Sequence, residues 1–131
     1  MSQPIHSSAA PQFPLPFSQA LRAGDFVYVS GQVGVDPVTR EVVGETIEEQ
    51  TLQCLRNIET ILAEADLTLD HIVKINAFLS RQEDFPGYNQ AYQSLMKQPF
   101  PTRTSIGCSI GSYLVEIDAI AYAVTRRGES L

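Results

Sequence analysis

Phe26-Val-Tyr-Val-Ser30 constrains the chain more than any other stretch. Its aromatic and β-branched residues are apolar on both alternating faces, and it is expected to end at Gly31. A strand of that kind must be covered from two sides. The clearest helix begins at Thr46-Ile-Glu-Glu49, a capping box in which the Thr hydroxyl and the Glu side chain each satisfy a backbone donor at the helix start. Ile47, Thr51, Cys54, Leu55, Ile58, Ile61, Leu62 and Ala65 follow at helical spacing as one apolar stripe, with Glu48, Gln53, Arg56, Glu59 and Glu64 outside it. That stripe reads as core.

Ile72–Leu79 is a second strand, with Val73, Ile75, Ala77 and Leu79 expected on one face and Ile72, Lys74, Asn76 and Phe78 on the other. Phe85, Tyr88, Tyr92, Leu95 and Met96 recur at helical intervals from Asp84 and stop before Pro99. Thr104–Ile110 and Leu114–Val124 read as a closing pair of strands. In the last, Val115, Ile117, Ala119, Ala121 and Ala123 form a small-residue face suited to helices. This order predicts an α/β (α+β) fold, a mixed sheet with two helices on one face. The other face, carrying Phe26, Tyr28, Phe78, Ile120 and Tyr122, is then left without a helix. An uncovered apolar sheet face is buried by other copies of itself or it aggregates, so a symmetric homo-oligomer is expected. A charged fraction of 18% points the same way.

Residues 1–131 are long enough for a single domain, led by an extended arm over residues 1–16 in which Pro4, Pro11, Pro14 and Pro16 rule out helix. Arg22-Ala-Gly-Asp25 and Asp36-Pro-Val-Thr-Arg40 are turns, and Gly31 and Gly34 mark a bend or a close approach. The formal charge is −6, with nine Lys plus Arg scattered along the chain, which disfavours a nucleic-acid partner. Cys54 and Cys108 lack metal-ligand spacing and read as reduced thiols. No run reaches membrane-spanning length and the N-terminus lacks a leader pattern, so a soluble, cytoplasmic protein without a membrane partner is expected. His6 reads as solvated in the arm, and His71 as a loop or cap residue.

Arg103 begins a strand-like run after a proline turn, and Glu116 stands near the start of the next. Placing Gly111-Ser112 at the tip of a hairpin sets Gly107 opposite Glu116 and Arg103 opposite Ile120. Arg103, Ser105, Gly107 and Glu116 then share one face, with Arg103 and Glu116 about 13 Å apart along it. An unpaired charge in an apolar strand needs a partner or a ligand. A guanidinium fork matches a carboxylate, and a carboxylate can accept a proton from water. The residues alone leave two readings open: a structural Arg–Glu pair within or between subunits, or a site for a small carboxylated molecule attacked by water. No Ser-His-Asp or Cys-His arrangement, phosphate-cradling loop or zinc spacing competes.

The segments Phe17-Ser-Gln-Ala-Leu-Arg-Ala-Gly-Asp, Val29-Ser-Gly-Gln-Val, Asp36-Pro-Val-Thr, Ile72-Val-Lys, Asp84-Phe, Tyr88-Asn-Gln-Ala-Tyr, Pro101-Thr-Arg-Thr and Val115-Glu-Ile-Asp-Ala-Ile-Ala together resemble the Rid (RidA, YjgF) family. The likeness runs from about residue 16 to 124, in family order. It implies a chorismate-mutase-like fold assembled as a homotrimer with ligand clefts between neighbours. It also implies hydrolysis of 2-aminoacrylate- or 2-aminocrotonate-type imines to 2-keto acids and ammonia, with no cofactor and no metal. On this resemblance Arg103 binds the substrate carboxylate and Glu116 is associated with the attacking water. Phe17, Ser30, Gly31, Asn89 and the backbone carbonyl of Ser105 line the cleft. The chain departs from the pattern twice. Phe17 stands where active members usually carry tyrosine, and Gly107-Cys-Ser-Ile-Gly-Ser-Tyr113 replaces a Leu-Pro-x-Gly-like element, shortening the Arg-to-Glu interval by two. Those departures keep open a second reading, a non-catalytic carboxylate-binding trimer with a regulatory role.

Overall fold

The computed structural model describes residues 1–123. The expected last strand residue Val124 and the polar tail Thr125–Leu131 lie outside them. The strands are β1 (Gln3–Ile5), β2 (Ala20–Ala23), β3 (Phe26–Val33), β4 (Ile72–Leu79), β5 (Thr102–Gly107) and β6 (Val115–Tyr122), and the helices are α1 (Ile47–Ala63) and α2 (Phe85–Leu95). They form one sheet in the order β1-β2-β3-β6-β4-β5, antiparallel except for the parallel β4–β5 pair. Within residues 1–16, Gln3–Ile5 adds an edge strand against β2, and Ala10 is buried in the core. Pro4 is tolerated there because an edge strand leaves one row of backbone groups unpaired.

α1 starts as its sequence requires. Thr46 Oγ1 accepts from the Glu49 N–H, and Glu49 Oε1 accepts from the Thr46 N–H. Thr46→Ala should lower the unfolding free energy by about 1 kcal/mol, read by denaturant titration. The stripe residues Cys54, Leu55, Ile58, Ile61 and Leu62 are fully buried with Val27, Ile75, Leu79, Val115 and Ile117 from the sheet. Burial of Cys54 pushes its thiol far above the ordinary range, so it stays a neutral core residue. Polar groups fix where α1 sits. Asn57 Nδ2 donates to the Val33 and Val35 carbonyls, and the Gln50 carboxamide accepts from the Leu114 N–H. A Cβ on Gly34 would lie 2.8 Å from the Gln50 Cα, so only glycine lets the end of β3 come this close to α1. His71 acts as expected: its Nδ1 accepts from the Thr68 N–H and closes the turn that leads into β4.

Both helices lie on one face of the sheet. The other shows Leu21, Phe26 and Tyr28 exposed beside half-buried Phe78, Ile120 and Tyr122, the face expected to lack a helix. Three expectations are corrected. β3 does not end at Gly31: it bulges between Val29 and Gln32, placing Ser30 and Gly31 across from Asp118 alone, and continues to Val33. β4 carries an irregularity between Ile72 and Lys74, so Ile72 turns into the core and Val73 out to solvent, the reverse of simple alternation.

The third correction is the largest. β5 and β6 are not a hairpin. β4 lies between them, so residues 108–114 form a crossover rather than a tight turn. Arg103 pairs with Ile75 and Gly107 with Leu79, while Glu116 pairs with Phe78 on β4 and Val33 on β3. Ile75 and Phe78 are an odd number of residues apart on one strand and point to opposite faces. Arg103, Ser105 and Gly107 therefore lie toward the helices, and Glu116 lies on the open face. Within one chain the arginine and the glutamate are on opposite sides of the sheet.

No helix among the described residues is long and apolar enough to cross a membrane.

Candidate functional site

The residues expected at the site fall into two groups. Arg103, on edge strand β5, reaches across α2, its Cζ 5.2 Å from the Tyr88 ring centroid and 4.9 Å from that of Tyr92. With Asn89, Tyr92, Gln93, Phe100 and Pro101 it lines a cavity of about 280 Å³. Asn89 is exposed at the rim, and Ser105, two residues along β5, shares a 3.1 Å hydrogen bond between its hydroxyl and that of buried Tyr88. The ion pairs among the described residues are Arg56–Glu59 and Arg81–Asp84; neither engages Arg103. Among the described residues no carboxylate occupies the guanidinium donors, which stand beside an aromatic-walled cavity and match the geometry of a planar anion.

The second group gathers at the open face and the root of the arm. The β3 bulge brings the Gly31 backbone under the Glu116 side chain: a Cβ there would sit 3.0 Å from Glu116 Cδ and collide with the carboxylate. Ser30 Oγ donates to the Ser18 carbonyl at 2.6 Å, and the Ser30 N–H donates to the Gln19 carbonyl, which ties the segment after Phe17 to the bulge. Phe17 itself is 45% exposed and lines a separate cavity of about 220 Å³ with Phe13, Ser18, Gln19 and Gln32. Glu116 is half-buried, and its pKa is raised, first by burial and then by the Asp118 charge two residues along the same face. Asp118 is raised by burial too, though Asn76 Nδ2 donates to its Oδ1 at 3.0 Å.

The structure thus brings Arg103, Asn89 and Ser105 together on one side and Ser30, Gly31 and Glu116 on the other, while Phe17 lies in its own cavity at the root of the arm. Among the described residues no hydrogen bond or ion pair joins the groups. Helical periodicity alone marks Tyr88 and Tyr92 only as core; their four-residue spacing beside Asn89 is the signal that could have found them.

A six-stranded mixed sheet in this order, backed on one face by two helices, defines a class of small α+β proteins. The family model described as Endoribonuclease L-PSP matches residues 7–123. A RutC family protein of Saccharolobus solfataricus is 38% identical over 123 residues, covering 92% of this chain and 98% of that one. A protein of Dermatophagoides farinae named 2-iminobutanoate/2-iminopropanoate deaminase is 33% identical over 103 residues, covering 79% and 80%. The crystal structure of RidA from a Psychrobacter species superposes with a TM-score of 0.87 at 33% identity, covering 92% of this chain and 98% of that one. The chain belongs to the Rid (RutC) family.

Gly31→Ala tests the closeness of the bulge to Glu116. Any catalytic role of that carboxylate should weaken about tenfold in kcat as the methyl displaces it, with helix and sheet content unchanged by circular dichroism.

Proposed function

We propose that the protein hydrolyses small 2-imino acids to 2-keto acids and ammonia, in clefts formed between subunits of a homotrimer. The observation that carries this reading is Arg103, a guanidinium with no carboxylate on it among the described residues, at the rim of a cavity sized for a small molecule. Its fork takes the substrate carboxylate and leaves C2 over the cleft. Because Arg103 and Glu116 occupy opposite faces, a complete site takes Arg103, Asn89 and Ser105 from one subunit and Phe17, Ser30, Gly31 and Glu116 from the next. A head-to-tail contact of this kind closes into a ring, and it would cover the apolar open face.

The chemistry uses groups already named. Glu116 accepts a proton from water as the water oxygen bonds to C2, the C=N electron pair moves to nitrogen, and the Glu116 carboxyl gives that proton to the nitrogen and is a carboxylate again. In the resulting carbinolamine the hydroxyl proton returns by way of the carboxylate to the amine. The C–N bond then breaks, the C=O forms, and ammonia leaves with the keto acid. The overall charge of −6 suits this small-molecule reading better than RNA.

Addition of the protein to a serine or threonine dehydratase reaction should accelerate keto-acid release, followed by coupled reduction of the keto acid. Absence of acceleration with any small amino-acid-derived imine would sink the proposal. One residue favours a second reading. Phe17 offers a ring and no hydroxyl to the cleft, as suits a subunit that binds a carboxylate to regulate a partner. Saturable 2-oxobutanoate binding without turnover would decide for it.

A further inference from the structure

Something must hold Arg103 in place, since an unrestrained side chain of this length would lose rotamer entropy with every ligand it bound. A protein carboxylate would do so at the expense of the same donors the ligand needs. What the structure supplies is aromatic. Tyr88 and Tyr92 stand one turn apart on α2, their ring centroids 5.9 Å from each other, and the guanidinium carbon lies within about 5 Å of both. Ring faces attract a cation through their quadrupole and occupy none of its N–H donors. Tyr88 is fully buried, and its hydroxyl is tied to Ser105 Oγ, two residues beyond Arg103 on the same face of β5. One strand thus provides both the cation and the hydroxyl that anchors a ring beneath it.

We propose that Tyr88 and Tyr92 form a two-ring seat that positions Arg103 for the carboxylate of a 2-imino or 2-keto acid, and that the Ser105–Tyr88 hydrogen bond locks the seat to β5. The inference rests on the functional reading above for its ligand, though not for its geometry. Tyr92 suits the part because it stays uncharged: burial outweighs the neighbouring Arg103 and pushes its hydroxyl up to about 12. The cation therefore meets a ring and not a phenolate that would neutralise it. Phe100, with its ring 6.4 Å from that of Tyr92, continues the aromatic wall into the cavity. Tyr88, Tyr92 and Ser105 act here through Arg103 and are positioning residues.

The test uses the full chain, with 2-oxobutanoate binding by calorimetry, steady-state kinetics, and the NMR signal of the Arg103 Nε–H, which two adjacent rings should displace from its random-coil position. Tyr92→Leu should weaken 2-oxobutanoate binding about fivefold to tenfold and move the Arg103 signal toward random coil. It should raise KM while changing kcat little, since a carboxylate grip contributes equally to ground and transition states. Tyr92→Phe, which keeps the ring, should recover most of that loss. Tyr88→Phe and Ser105→Ala remove the same bond, so each should weaken binding about twofold to threefold and the double variant no further. If Tyr92→Leu binds within twofold of the unaltered protein with the Arg103 signal unmoved, or Tyr92→Phe is as harmful as Tyr92→Leu, the seat is wrong. Should Tyr92→Leu not fold, an Arg103 signal at random coil in the unaltered protein overturns the proposal equally. A protein that neither binds nor turns over the acid, yet shows a ring-displaced Arg103, removes the functional reading and supports the seat.

Discussion

Arg103→Ala should lower kcat/KM for a 2-imino acid by about a hundredfold to a thousandfold, most of it in KM, while the melting temperature changes little. The magnitude follows from the bond removed. A charge-assisted, bidentate grip on a carboxylate in a partly dry cleft is worth about 2–5 kcal/mol when one partner is truncated. The unchanged stability follows from what Arg103 does not do. Among the described residues it has no ion-pair partner, and its contacts are the faces of Tyr88 and Tyr92. A structural salt bridge would show the opposite signature, with folding affected first and catalysis only through it. Arg103→Lys should fall between, because an ammonium keeps the charge and loses the planar fork. Measuring kcat and KM for both variants, with a thermal melt of each, separates the outcomes. A variant that melts well below the unaltered protein but retains its KM would return Arg103 to a structural role.

How far this site is legible in the sequence depends on whether local or distant residues decide the feature. The start of α1 is written in four consecutive residues, Thr46 to Glu49, and the stripe from Ile47 to Leu62 lies on one helix; both are legible because their causes are local. Phe26–Ser30 reads correctly as a strand, but within the subunit only its Val27–Val29 face is covered, and Phe26 and Tyr28 stand exposed on the other. Strand partners are not legible. Alternation tells which residues share a face of one strand, but nothing in Gly107–Tyr113 says whether β6 returns beside β5 or crosses β4. Gly111-Ser112 carries a turn signal, and its Gly111 does have a positive φ of 67°, yet the turn serves a crossover. That single error in pairing puts Arg103 and Glu116 on one face. Similarly, the irregularity at Ile72–Lys74 and the bulge at Ser30–Gly31 are responses to neighbouring strands, and a period of two cannot show them. The family likeness singles out Arg103 and Glu116 without reference to strand pairing, and it also calls for clefts between neighbours.

Glu116→Gln should lower kcat by about a hundredfold or more with a small change in KM, and should not destabilise the subunit. The rate effect is that expected when a positioned base is replaced by an isosteric group that cannot take a proton. Its pH dependence has a definite sign. Burial, and then the charge of Asp118, hold the Glu116 pKa above the ordinary carboxylate range, and the base must be ionised to work. Activity therefore falls on acidification at a higher pH than a free glutamate would give. Asp118→Asn removes the second of those causes and should move this acid limb to lower pH, a shift read directly from log(kcat/KM) against pH. Stability runs the other way. The folded pKa is raised, so between the unfolded and folded values the native state binds more protons than the unfolded chain. This carboxylate's contribution is accordingly most favourable below the unfolded value and is lost as pH rises through the folded one. At neutral pH the half-buried anion costs the subunit stability, and the uncharged amide of the Glu116→Gln variant relieves that cost. A melting temperature that rises or holds while kcat collapses would mark Glu116 as a charge kept for chemistry at the expense of the fold. A melting temperature that falls with kcat would mark a structural partner in the neighbouring subunit instead.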